Sequence, residues 1–370
     1  MNPQQLFCPN PVCPSRGQKN QGNIVVHSKK EQRYRCKVCG KTFAHTKETA
    51  LYRLHKPLDL FVLVTTLLAY GCPLQAIVAA FGLDERTVAA WHRRAGQQAK
   101  RVHEHLVLAQ QFDLGQVQAD EVRVKTQRRK EQATQQATQQ GGILWMAMAL
   151  CVPCRLWLGG FVSPHRDKKL IRQLAHLVHG CALPRPLLVC FDGFKSYVGC
   201  FHKAFRVSIK TTGPGRPRLR PWLDLCLGQV VKQYEKGHVC GVLTRLVQGA
   251  KEPVAALLYG ANGINTAYIE RLNATFRARL WFLVRRSRCV CRQQTTLENG
   301  MYLIGCLYNF CTPHHSLDGC TPAVAAGITD HCWGVRELLS FRVPPSRWQP
   351  PRQRGRRSKA MQVLVERWAP

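Results

Sequence analysis

Apolar positions along this chain follow first a helical period and then an alternating one, and the change separates two kinds of structure. LDLFVLVTTLLAYGCPL, from Leu58, is the longest apolar stretch and predicts a core helix. After Pro73, suited to a first turn, Leu74, Ile77, Val78 and Phe81 recur at helical spacing until Gly82 breaks the run. GLDERTVAAWHRR then starts a second helix, with Asp84 its candidate N-cap and Val88 and Trp91 inward. Arg86, Thr87, Arg93 and Arg94 are left on its outer face. Two helices joined by so short a turn predict a helix-turn-helix, an ordinary helical hairpin with a solvated basic face being the alternative.

Further on, LGQVQADEVRV, ILWMAMALCV and RLWLGGFV predict three strands in a meander. A helix follows from about Asp167 to Gly180, and then a buried strand, PLLVCFDGF. This order is that of a ribonuclease H-like α/β core, a mixed five-stranded sheet with helices. The stretch from Lys125 to Gly142 repeats Gln, Ala and Thr without apolar periodicity, so it is read as a flexible excursion between two strands. Cys151 and Cys154 flank Val-Pro between two apolar runs and read as core thiols at a hairpin turn.

Charge changes what such a chain is expected to meet. Its 54 Lys and Arg against 21 Asp and Glu leave a formal net charge of +33. Neutralising phosphates releases condensed counterions, so a polyanion is the expected partner, nucleic acid ahead of an acidic membrane surface. The outer face of the helix after Gly82 thereby becomes a candidate DNA-binding surface. A 45% hydrophobic content suffices for a buried core and excludes a disordered basic tail. The longest apolar run falls short of the roughly 20 residues of a membrane span. MNPQQLFCPNPVC lacks the charged-then-apolar layout of a signal peptide, so the cytoplasm is the expected location.

Eighteen cysteines without a secretory signal point to metal ligands rather than disulfides. Cys8 and Cys13, with four residues between them in FCPNPVC, and Cys36 and Cys39, with two between them in YRCKVCGKTF, make the two knuckles of a zinc ribbon. Cys311, His314, His315 and Cys320 lie close together but lack matched knuckles, which makes a second metal site the weaker reading.

With acids so scarce, those inside apolar segments stand out. Asp120 lies on the first meander strand, Glu121 being the alternative inward residue. Asp192 follows five apolar residues in LLVCFDG, where a carboxylate is costly unless a cation meets it; a turn-forming Asp-Gly is the alternative. Glu270 is the one carboxylate of INTAYIERLNATFRARLWFLVRRSR, beside Arg271, Arg277, Arg279, Arg285, Arg286 and Arg288. Three and four positions away stand Thr266, Ala267, Asn273 and Ala274, so the helix offers it no ion-pair partner. Two acids on neighbouring strands and one on a later helix suit a pair of Mg2+ ions, with the arginines beside them to hold phosphates. PGRPRLRP around Arg216 and RQRGRRSK from Arg352 have the composition of minor-groove hooks, although solvated loops of that composition are commoner.

In their order along the chain, these segments resemble a DDE-class bacterial insertion-sequence transposase, of the group in which a zinc ribbon and a helix-turn-helix precede a ribonuclease H-like catalytic domain. RYRCKVCGKTF resembles the second knuckle, and QADEVRV, VCFDGFKSY and NTAYIERLNATFRARL the three acidic motifs. YNFCTPHHSLDGCTPAVAAGI resembles the segment after the catalytic helix, matching at Tyr308, Asn309, Pro313, His314, Leu317, Thr321 and Pro322. The resemblance implies that Asp120, Asp192 and Glu270 hold two Mg2+ or Mn2+ ions, alongside a structural Zn2+. It implies nicking at element ends and attack of the freed 3'-hydroxyl on target DNA, by a homo-oligomer on double-stranded DNA at the nucleoid. The stretch between Asp192 and Glu270 is longer than compact members use, so an insertion is expected around 211–260, with Glu252 and Glu298 as alternative third acids. The expected layout is a zinc ribbon over 1–50, a helix-turn-helix over 51–110, a catalytic domain over 111–345 and a disordered basic tail over 346–370.

Overall fold

The computed structural model describes residues 2–126, 142–209, 217–222, 224–235, 238–260, 263–284 and 290–369. Nearly all of the Gln/Ala/Thr-rich excursion, Arg216, and Arg285, Arg286 and Arg288 lie outside the described residues. The chain divides into two compact units, Met1–Leu58 with Leu339–Pro370, and Asp59–Leu338. The helix-turn-helix region and the sheet therefore belong to the same unit.

In the first unit, β1 (Ile24–Ser28), β2 (Arg33–Cys36) and β3 (Thr42–Ala44) form an antiparallel sheet in chain order. Among the described residues, the core cluster around its cysteines gathers Leu6, Ile24, Tyr34 and Phe43. Chain from the far C-terminus completes this unit. Arg342 bonds the carbonyl of His45 and lies over the rings of Phe43 and Phe7. Arg16 donates to the carbonyls of Ser346, at 2.8 Å, and Arg347, at 3.1 Å. The tail, expected to be disordered, ends in a helix, Lys359–Trp368, whose N-cap Ser358 accepts from the Met361 amide and whose Trp368 is buried. Its Pro- and Arg-rich start hid the apolar spacing of Met361, Leu364, Val365 and Trp368.

The second unit opens with α1 (Leu58–Ala69), α2 (Leu74–Phe81) and α3 (Glu85–His103). Gly82 ends α2 in the left-handed conformation that glycine tolerates, and the Asp84 carboxylate caps α3 by accepting from the Arg86 amide at 2.8 Å. Val88 and Trp91 are buried, the latter edge-on to Phe61. Arg86, Arg93, Gln97 and Lys100 keep one face of α3 exposed along its length. Its later turns pack so tightly that a Cβ at Gly96 would meet the Asn299 carbonyl at 2.4 Å.

The sheet that follows has six strands, one more than expected, in the order β11-β10-β7-β4-β5-β6. Strands β4 (Gln116–Lys125), β5 (Ile143–Cys151) and β6 (Trp157–Ser163) are the expected antiparallel meander, with Cys151 and Cys154 at its second turn. Helix α4 (Lys168–Cys181) leads to β7 (Leu187–Asp192), which runs parallel to β4. Next come α5 (Ser196–Ala204) and a small ribbon of β8 (Arg206–Ile209) and β9 (Arg218–Pro221). Strand β10 (Leu225–Glu235) pairs parallel to β7, and β11 (His238–Gln248) returns antiparallel. The 211–260 segment, read as an insertion, thus supplies two strands of the main sheet. Helices α6 (Lys251–Leu257), α7 (Ala267–Arg279) and α8 (Gln294–Cys306) follow.

Trp157, fully buried, anchors β6 to the helices through contacts with Phe276, Tyr302 and His103. The side-chain amide of Asn309 grips both the amide and the carbonyl of Trp157 at 2.9 Å. Among the described residues, no helix is long and apolar enough to cross a membrane.

Candidate functional site

Two groups of metal-ligating side chains form among the described residues. In the first, the sulfurs of Cys8, Cys13, Cys36 and Cys39 all lie within 4.8 Å of one another. Cys8 and Cys39 are 3.6 Å apart and Cys13 and Cys36 3.9 Å. Tetrahedral zinc with bonds of ~2.3 Å spaces its sulfurs by ~3.8 Å, so this donor set fits zinc. Gly40, with φ +68°, lets the second knuckle turn sharply enough for its amide to reach the Cys36 carbonyl. The buried Ser15 hydroxyl sits 3.2 Å from Cys13 Sγ and 3.6 Å from Cys36 Sγ, and takes a bond from Asn23 at 2.9 Å. Hydrogen bonding from Cys8 and Ser15 pulls the Cys13 thiol down to about 5, while its bond to Cys13 and burial push Cys8 up. Cys311, His314, His315 and Cys320 do not gather into such a group.

The second group stands where β4 and β7 stop pairing. Their register ends at Ala119 and Phe191, so Asp120 and Asp192 come just beyond the last paired residues. Asp192 makes the turn that its Asp-Gly sequence suggested, accepting from the Phe194 amide at 2.9 Å, and also faces a cleft of about 670 Å³. Asp120 and Glu270 line the same cleft.

Polar clamps dock α7 against β4 and so set the position of Glu270. The Gln118 side chain donates to the Asn265 carbonyl at 2.8 Å and accepts from the Ile269 amide at 3.0 Å. One turn on from Glu270, Asn273 donates to Asp120 Oδ2 at 2.7 Å. Glu270 itself accepts from Thr266 at 3.0 Å and pairs with Lys232 of β10 at 2.8 Å. The partner missing from the helix is therefore supplied by the sheet.

Asp120, Glu121 and Asp192 place a carboxylate oxygen each within 4.8 Å of one another, with Glu270 outside that group. Asp120 and Glu121 both join the group, Glu121 being the more buried of the two. Burial and the charges of Glu121, Asp192 and Glu270 raise the Asp120 carboxyl to about 7. Burial and Asp192 likewise raise Glu121, opposed by Tyr197 and Arg166. Clustered oxygen donors carrying excess negative charge suit Mg2+ or Mn2+. Glu252, exposed at the start of α6, and Glu298, bonded to Gln294, do not line the cleft.

Of the basic residues singled out, Arg86 and Arg93 are exposed on α3, while Thr87 and Arg94 are half-buried. Burial lowers the Arg94 guanidinium. Arg271 and Arg277 are exposed on α7; Arg279 is half-buried, lying over Tyr70 and bonded to Thr312. Sequence patterning did not single out Arg166, Tyr197 or Lys232, since each reaches the site from a different element. No protein-family model matches the chain, and neither does any curated protein.

Proposed function

We propose that this chain is a DDE-type DNA transposase. In this reading its larger unit is a ribonuclease H-like core in which Asp120, Asp192 and Glu270 hold two Mg2+ or Mn2+ ions. The observation that carries it is the meeting of these three acids, far apart in sequence, in one cleft beside the parallel strands β4 and β7. The strand order adds support, since an antiparallel meander followed by parallel crossovers on its first strand is the arrangement a ribonuclease H-like core requires.

Bound divalent ions would supply an activated hydroxyl and a stabilised leaving oxygen for phosphodiester transfer. The protein's own part is positioning. Asn273 and the Glu121 amide aim the two oxygens of Asp120, and the Phe194 amide fixes Asp192. Thr266 and Lys232 hold Glu270 at the cleft wall. Exposed Arg271 and Arg277 on the same helix are placed to meet phosphates, and Arg86 and Arg93 on α3 to meet a second stretch of duplex. Zinc in the four-cysteine cluster would hold the small N-terminal sheet together. A dimer or larger assembly bridging two DNA ends follows from the same reading.

The test is Mg2+-dependent cleavage and joining of the DNA that flanks this gene, by wild type and Asp192→Ala. Activity in the wild type that vanishes in the variant supports the enzyme. Cleavage that survives the substitution would sink it. DNA binding without cleavage in either protein would point instead to a DNA-binding regulator.

A further inference from the structure

We propose that Arg166 grips a DNA backbone phosphate at the edge of the acidic cleft, and that Glu121 holds Arg166 rather than a metal ion. This inference rests on the strand-transfer reading and gives it a further substrate-contacting residue. Arg166 lies between β6 and α4. Its chain neighbour Asp167 caps α4 by accepting from the Leu170 amide at 2.9 Å, which fixes the backbone there. The guanidinium lies 4.3 Å from the centre of the Phe194 ring and 5.2 Å from that of Trp145. One edge is held: Nε and Nη2 bond Glu121, and Nη2 also reaches Asp192 Oδ2 at 3.1 Å. Among the described residues Nη1 has no protein partner, and the side chain is 35% exposed in the cleft wall. A guanidinium stacked on rings, anchored along one edge and open at the other is pre-organised to bind phosphate.

Glu121 has the opposite character. Its side chain is 1% exposed against 36% for Asp192, and it does not line the cleft. Each of its oxygens already has a donor, Arg166 on Oε1 and the Tyr197 hydroxyl on Oε2 at 2.6 Å. Tyr197 is itself fully buried and stacked on Phe191, so this anchor is rigid. Although Glu121 is near Asp120 and Asp192, its charge is matched by Arg166. Asp120, by contrast, lines the cleft and has no cation bonded to it among the described residues. Glu121 and Tyr197 are therefore positioning residues for Arg166.

The experiment uses the full chain and a duplex carrying the DNA that flanks the gene, with Arg166→Ala, Arg166→Lys and Glu121→Gln beside wild type. Binding is followed by fluorescence anisotropy in Ca2+ across a salt series. Losing one phosphate contact should lower the slope of log Kd against log salt by about 1 in Arg166→Ala, a change that a merely structural residue would not produce. In Mg2+, kcat/KM for cleavage should fall about tenfold or more in Arg166→Ala, recover in part in Arg166→Lys, and fall less in Glu121→Gln. The Mg2+ concentration for half-maximal rate should stay within about twofold in all three, whereas a lost metal ligand would raise it by about tenfold or more. An unchanged salt slope in Arg166→Ala, or a tenfold higher metal requirement in Glu121→Gln, overturns the proposal. Cleavage surviving Asp192→Ala would overturn the strand-transfer reading instead, and the slope would still decide whether Arg166 holds a phosphate.

Discussion

The four-cysteine cluster and the acidic cleft both crowd together groups that repel one another when ionised, but they rest on very different supports. Among the described residues, the core cluster around the cysteines adds four other buried side chains, so the thiols are themselves much of that cluster. Behind the acids stands a six-stranded sheet with buried Trp157, Phe191, Phe201 and Phe276. Protein cations also reach the acids, Arg166 at Asp192 and Lys232 at Glu270. A metal in the first place would act as a folding element. In the second, on the proposed function, it would be a reagent, and the fold should stand without it.

The largest expected effect breaks that symmetry outright. Removing zinc by chelation, or Cys36→Ser, should unfold the β1–β3 sheet, since structural zinc contributes apparent folding free energy on the order of 10 kcal/mol. Amide hydrogen exchange would read this as lost protection in β2, with protection in β4, β5 and β7 retained. Loss of protection in both units would contradict the comparison.

A middle-sized effect is expected from pH. The Asp120 carboxyl is raised to about 7, above its ordinary value, so its contribution to stability is complete below roughly pH 4. That contribution is lost as pH rises through about 7, when the metal-free cleft must carry one more negative charge. Mg2+ should therefore raise the Tm of the larger unit more at pH 8 than at pH 5. Equal shifts at the two pH values would mean that the ion binds elsewhere. The smallest effect belongs to the half-exposed Lys232–Glu270 pair, where Lys232→Ala should change stability by less than ~1 kcal/mol in urea melts.

Much of this was legible because one period governed each segment. The alternation in QADEVRV and the continuous apolar run of LLVCF specify strands buried in a sheet, and the Gly82–Asp84 punctuation specifies a helix restart. Strand β10 was hidden for a physical reason. Leu225, Cys226 and Leu227 are buried against its neighbours, but beyond Val231 it becomes half of an exposed hairpin, so no single pattern covers it. The acidic site was legible as a set of candidates and illegible as a geometry. Neighbouring residues on a strand face opposite ways, so the sequence made Asp120 and Glu121 rivals. Where β4 loses its pairing with β7, both carboxylates come close to Asp192. Lys232 and Arg166 meet the acids only through the fold, and spacing along one helix cannot reveal such partners.

In the proposed metal-holding site of Asp120, Asp192 and Glu270, the least local member is Glu270. The most direct test is Mg2+-dependent cleavage of the flanking DNA by Glu270→Gln beside Glu252→Gln and Glu298→Gln. Cleavage should be lost in the first and retained in the other two. Full activity in Glu270→Gln, or loss confined to Glu252→Gln or Glu298→Gln, would contradict the proposed site.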